Sequence, residues 1–263
     1  SYVIDGKRFV RLADSVLGVL ERRLPNLHGR DSLDCLFYIG NTYGGKSVVL
    51  AKMGNWLPGI KVAYRSVGLL RSVIAQDSSY APAYLGIGVF NYYLNQNLAW
   101  LPFLGEGAEK GLAFIRRATR APFPYDIGAK NVLCWILIER DQYTQADSLC
   151  RTVLARFPNS SVFIRISGCI ALWTGKWEWA LSFADRLVEV SSRRDPTNWS
   201  DLLMGYWIMV DSHNHLGNSK ACVAAAREAL KLEVPPAYRR ISYVVKHRQR
   251  IAEVRALHEK EVK

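Results

Sequence analysis

The sequence predicts an all-α array of stacked helical hairpins, and three observations predict it. Apolar residues recur at helical spacing along the chain, and no stretch alternates as a strand-and-turn protein would. Between Ile127 and Leu203, small residues, a bulky aromatic and a proline return at fixed offsets: Tyr143, Ala146 and Pro158, then Gly168, Gly175, Trp177 and Ala180. Ala146 and Ala180 stand 34 residues apart, the length of a two-helix repeat. One such repeat cannot bury its apolar face alone, so repeats stack into a solenoid that offers a binding surface instead of a catalytic cleft.

Composition agrees. The 263 residues are 49% hydrophobic, with 8 Trp and 13 Tyr, which is ample for a core and excludes a mainly disordered chain. The length suits one or two domains, or one continuous array. Five cysteines, Cys35, Cys134, Cys150, Cys169 and Cys222, lie far apart and form no CxxC or Cys/His cluster, so no metal site is expected. Each falls where a helix wants a small apolar side chain, and all five read as buried thiols. Such thiols lean towards a reducing, cytoplasmic compartment. No secretory signal pattern is found. The sequence opens at Ser1, without methionine and already inside a helical pattern, so periplasmic and membrane-associated placements stay open.

The formal charge of +12 sits at the two ends. Up to Ala75 there are 11 basic and 5 acidic residues; from Pro235 onward there are 8 and 3. Basic ends keep the molecule soluble, and they also suit an acidic partner or an anionic membrane surface. Nucleic acid and small-molecule substrates are not expected partners.

The elements follow in order. A first helix is expected from about Asp5 to Leu24, stopped by Pro25, with Phe9, Leu12, Val16, Val19 and Leu20 as its apolar stripe. Asp31 and Ser32 are suitable N-caps for a second helix ending near Gly54. A third runs from about Pro58 to Gln76. These N-terminal helices, 1–80, read as degenerate repeats. The repeats proper span 81–233. Their first helix starts near Ala81 and carries Tyr84, Ile87 and Gly88; an apolar connection follows near 95–107, then a partner helix, Glu109–Arg120, with Gly111 and Ala118. Units then run from Tyr125 to Phe157, Asn159 to Ser192 and Asn198 to Leu232, the last with Gly217, Cys222, Ala226 and Ala229 in the small positions. After Pro235 and Pro236 comes a basic capping helix, 234–263. It mixes Ile241, Val244, Val245, Ile251 and Val254 with Arg239, Arg240, Lys246, His247, Arg248, Arg250 and Arg255. Small residues matter because only they let the two helices of a repeat cross closely, with aromatics filling the grooves beside them.

This pattern resembles the tetratricopeptide repeat (TPR) proteins of bacterial type, most strongly over Tyr125–Ser192. The strings AYLGIGVFNYYL and LFYIGNTYG are also similar to helices of a bacterial subgroup. The resemblance implies a right-handed α-α superhelix, a TPR-like solenoid of about six helical hairpins. It implies a scaffold for protein–protein recognition, with no catalysis and no cofactor of its own. Inward-facing offsets would then line a partner groove: Tyr92; Asn131, Trp135 and Glu139; Arg165; and Trp207, Asp211 and His215. These are not the Lys/Asn/Arg set with which some members clamp a C-terminal carboxylate. A mixed aromatic and polar groove for a protein or peptide is expected instead.

Three other features invite chemistry. Gly40–Ser47, GNTYGGKS, satisfies the phosphate-loop expression G-x-x-x-x-G-K-[ST], in which Lys46 would reach the outer phosphates and Ser47 would hold magnesium. No parallel sheet is legible elsewhere, so the preferred reading places Gly40, Gly44 and Ser47 on one face of a continuous helix, and nucleotide binding ranks third among functions. From Ser78 to Gly105 no residue is charged, yet Asn91, Asn95, Gln96, Asn97, Pro82 and Pro102 deny it about 20 apolar residues for a span. Within it, Trp100, Leu101, Phe103 and Leu104 either fold back over the array or form an interface loop. With the basic ends, that loop supports the second functional reading, a protein of the membrane or lipid surface. Asp211 and His215 share a helix face, but lacking a third ligand or base they read as a solvated pair.

Overall fold

The structure, a computed structural model, describes residues 2–97, 107–120 and 126–259. Among the described residues there are twelve α-helices and no strand. Contacts divide the chain into two compact units, Tyr2–Leu133 and Cys134–Lys263.

The first unit contains α1 (Tyr2–Arg23), α2 (Gly29–Lys52), α3 (Trp56–Gln76), α4 (Ala81–Asn97), α5 (Gly107–Thr119) and the first part of α6 (Asp126–Glu139). Helix α2 pairs with α3, and α4 with α5. Leu33, Phe37, Leu70, Val73, Tyr80, Ala83 and Ile87 form one core cluster. Helices α4 and α5 cross with backbone against backbone. A Cβ on Gly88 would stand 2.8 Å from Gly111 O, and one on Gly111 would stand 2.7 Å from both Gly88 O and Tyr92 N. Backbone lies on backbone there, at two of the expected small positions.

Two sequence expectations need correction in this unit. Helix α1 meets α2 through Ala13 and Leu17, while Phe9, Leu12, Val16 and Val19 of the expected stripe are 42%, 63%, 39% and 44% exposed. Close approach selects the small residues: a Cβ on Gly6 would sit 2.6 Å from Met53 Sδ. The contacting face is therefore turned by roughly a quarter turn from the richest apolar stripe. Helix α2 also starts earlier than expected, at Gly29, with His28 as N-cap and no side-chain cap. A short 3-10 turn at Leu24–Asn26 redirects the chain, and Asp31 lies inside the first helical turn, where its charge still faces the positive helix end.

The second unit contains the end of α6, α7 (Tyr143–Arg156), α8 (Ser161–Trp173), α9 (Trp177–Ser192), α10 (Trp199–His215), α11 (Ser219–Lys231) and α12 (Ser242–His258). Its hairpins turn in one way. Asp141, Gly175 and Gly217 all have positive φ, at 57°, 70° and 70°. The next residue's N–H bonds back five residues in each case, Gln142 to Leu137 O, Lys176 to Ala171 O and Asn218 to His213 O. This left-handed residue closes the first helix of each of these hairpins and satisfies its last carbonyls. Ala146 and Ala180 are fully buried, as are Cys222, Ala226 and Ala229. A cluster built on Cys169, Ala184, Ile208 and Ile251 joins α8 to α12. Helix α12 begins at Ser242, later than Pro236, because the intervening backbone folds into a turn in which Arg239 Nε donates to Val234 O.

Candidate functional site

The phosphate-loop pattern resolves first. Helix α2 runs unbroken through Gly40–Ser47, so its backbone N–H groups are spent within the helix. Gly40 and Gly44 face α3: their Cβ positions would lie 3.0 Å from Leu70 and 3.2 Å from Ser66 Oγ. Ser66 Oγ donates to Gly40 O at 2.7 Å, and Ser47 Oγ to Gly44 O at 2.7 Å. Lys46 pairs with Asp14 on α1. The glycines serve helix packing, and the motif's lysine is committed to an ion pair.

In the second unit, the first helices of successive hairpins, with α12, bring a mixed set of side chains together. Arg165 on α8 donates through Nη1 to Asp201 Oδ1 at 2.6 Å, and the Asp201 side chain is 3% exposed. Asp201 is further held by its α10 N-cap: Asn198 Nδ2 donates to Asp201 Oδ2 at 2.7 Å, and the Asp201 N–H donates to Asn198 Oδ1 at 3.2 Å. This reciprocal cap fixes a buried carboxylate where the arginine needs it. Two turns on, Trp207 is covered by α12. His247 stacks on it at 5.8 Å between ring centroids, and the Arg250 guanidinium lies 5.0 Å above the indole. At the end of α10, His215 stacks flat on Trp177 at 4.2 Å and approaches Asp211 at 3.8 Å.

Burial sets the electrostatics. It pulls His247 down to about 4, with Arg250 and Arg165 adding to the effect and Asp201 opposing it. It raises the Asp211 carboxyl, against the pull of His215 and Arg250. Among the described residues, Arg165 Nε and His247 Nδ1 are buried without a hydrogen-bond partner. Unused donor and acceptor capacity of this kind is costly unless something completes it.

The expected groove residues therefore fare differently. Arg165, Asp211 and His215 share this face, Trp207 forms its floor at 9% exposure, and Trp135 packs against the same cluster from α6. Glu139, at the end of α6, is exposed. Asn131 belongs to the first unit, where its Oδ1 is buried without a partner. Tyr92 is 2% exposed at the α4–α5 crossing, so its ring is withdrawn from any surface. The crossing at Gly111 draws that turn of α4 inward. Trp100, Leu101, Phe103 and Leu104 lie outside the described residues. Sequence reading missed Asp201, His247 and Arg250 as members of the face. The Asn198-x-x-Asp201 spacing was a signal for the first; the other two depend on which side of α12 turns inward.

Among the described residues there is no group of three His, Cys, Asp or Glu able to hold a metal, and no helix long and apolar enough to cross a membrane. No family model and no curated protein matches the chain. Solved structures do. PilW, described as a widely conserved type IV pilus biogenesis factor, is similar with a TM-score of 0.54 at 12% identity, over 89% of this chain and 97% of that one. The TPR domain of P58(IPK) scores 0.36 at 14% identity, over 97% of this chain and 67% of that one. An anaphase-promoting-complex (APC/C) Cut9–Hcn1 structure scores 0.45 at 13% identity, over 98% and 53%. The chain has a tetratricopeptide-like fold, with all-α hairpins stacked at small-residue crossings.

Proposed function

We propose that this protein is a non-enzymatic interaction scaffold that receives a polypeptide on the first-helix face of its second unit, across α8, α10 and α12. One observation carries the reading. His247 and Arg250 cover the buried Trp207, Arg165 reaches Asp201 on the same face, and Asp211 and the exposed His215 continue that face of α10 to Trp177. An extended peptide supplies backbone carbonyls and carboxylates within reach of the exposed His215 and Arg250 side chains, on a face whose base is the covered Trp207. The PilW likeness supports the architecture only.

The test is co-purification from the native source with wild type, with the His215→Ala/Arg250→Ala double variant, and with Arg151→Ala on the second helix of a repeat. A polypeptide retained by wild type and Arg151→Ala, and lost from the double variant, is the expected result. Equal retention by all three would place the partner elsewhere. His215 and Arg250 are suitable because both are exposed and the Asp211 carboxylate they face keeps access to solvent, unlike Arg165, whose removal would strand the buried Asp201.

A further inference from the structure

Helices α6 and α7 cross at Cys134 and Cys150, whose Sγ atoms are 3.6 Å apart with both residues fully buried. Of the other described thiols, Cys35 Sγ and Cys222 Sγ point to the backbone oxygens of Leu20 and Val210, while Cys169 is a neighbour that interacts with Cys150 through charge. A 3.6 Å separation is thiol contact, and a covalent bond needs about 2.05 Å. Cys134 Sγ also lies 3.8 Å from the backbone oxygen of Ala146, one turn before Cys150 on α7, so the two side chains already share one crossing and side-chain rotation supplies the remaining approach. The two residues stand 16 apart in sequence, so a bond between them would close a short loop around the Asp141 turn.

We propose that Cys134 and Cys150 form a disulfide that clips the two helices of one repeat together when the chain meets a glutathione-type disulfide oxidant. One thiolate attacks the oxidant's S–S bond and releases one glutathione; the second cysteine attacks the mixed disulfide and releases the other. Two S–H bonds and one glutathione S–S bond are lost, one protein S–S bond and two glutathione thiols are formed, and the two electrons pass to glutathione. Complete burial blocks attack in the closed repeat, so the bond forms during folding or on local opening, and the same burial then shields it.

Refolding the full chain in an oxidising glutathione buffer, followed by alkylation and peptide mapping, tests this. The expected product is a Cys134–Cys150 linked peptide, an intact mass lower by about 2 Da and a higher urea midpoint than the reduced protein. Cys150→Ala should lack the linked peptide and the midpoint gain while matching reduced wild type in helical content. Full alkylation of both cysteines after oxidative refolding, or a link from either to a different cysteine, would overturn the proposal. The wild-type map decides the matter even if a variant folds poorly.

Discussion

Gly111 shows how little room a helix crossing leaves. Its Cβ position is 2.7 Å from two backbone atoms, which cannot move aside as a side-chain tip can. Gly111→Ala should therefore destabilise the chain by roughly 1–3 kcal/mol, while Gly128→Ala, with nothing within 4 Å of its Cβ position, should be neutral or mildly stabilising. Urea midpoints compare the two directly. His247 gives the second residue-scale expectation. An unfolded histidine titrates near 6.5, and His247 in the fold is pulled down to about 4. Below pH ~6.5 the unfolded chain takes up a proton that the folded chain refuses, so stability is intact above that pH and lost progressively towards pH 4, on the order of 3 kcal/mol in all. Asp211, whose carboxyl is raised by burial, works in the opposite sense at acid pH. The comparison to make is therefore wild type against His247→Gln at pH 7 and pH 5, and the variant should show the shallower loss. The small residues at crossings were legible in the sequence because their spacing repeats. The charge state of His247 was not, because it depends first on burial of the ring against α10 and then on Arg250 beside it and Arg165 and Asp201 from two other helices.

At the scale of the element, α1 is the instructive case. Its most apolar stripe remains half exposed, and Ala13 and Leu17 make the contact with α2. Leu17→Ala should cost about 2–4 kcal/mol, whereas Leu12→Ala, at a residue 63% exposed, should change stability by no more than about 0.5 kcal/mol. Thermal or urea unfolding distinguishes these, and the reverse order would restore the stripe as the buried face. Periodicity places a helix reliably, but the buried side of an end helix is chosen by how closely its neighbour can approach. The same holds for α12, whose basic and apolar residues were evident in the sequence. That His247 and Arg250 cover Trp207 follows from its docking on α10 and α11, which no local pattern records. The α2 glycines were ambiguous for a related reason. A phosphate loop and a close helix crossing both require residues without a Cβ, and Ser66 and Leu70 opposite them decide between the two.

For the whole molecule, hairpin architecture makes stability a sum of repeats and their nearest-neighbour interfaces, and it leaves the faces of the first helices free to specialise. The fold was legible from helical apolar spacing together with small residues returning at a 34-residue period. Of the residues expected to line a groove, Arg165, Trp207, Asp211 and His215 lie on α8 and α10, while Tyr92 is drawn inward by a crossing tighter than the offset implies. The claim that matters most is that a polypeptide occupies the face around Trp207. Site-specific photo-crosslinking in the native lysate tests it most directly, with the reactive side chain at His215 or, as the outward control, at Trp179, which is 59% exposed on α9. The account expects a discrete polypeptide adduct from position 215 and none from position 179. Adducts from position 179 alone, or only lipid captured at position 215, would contradict it.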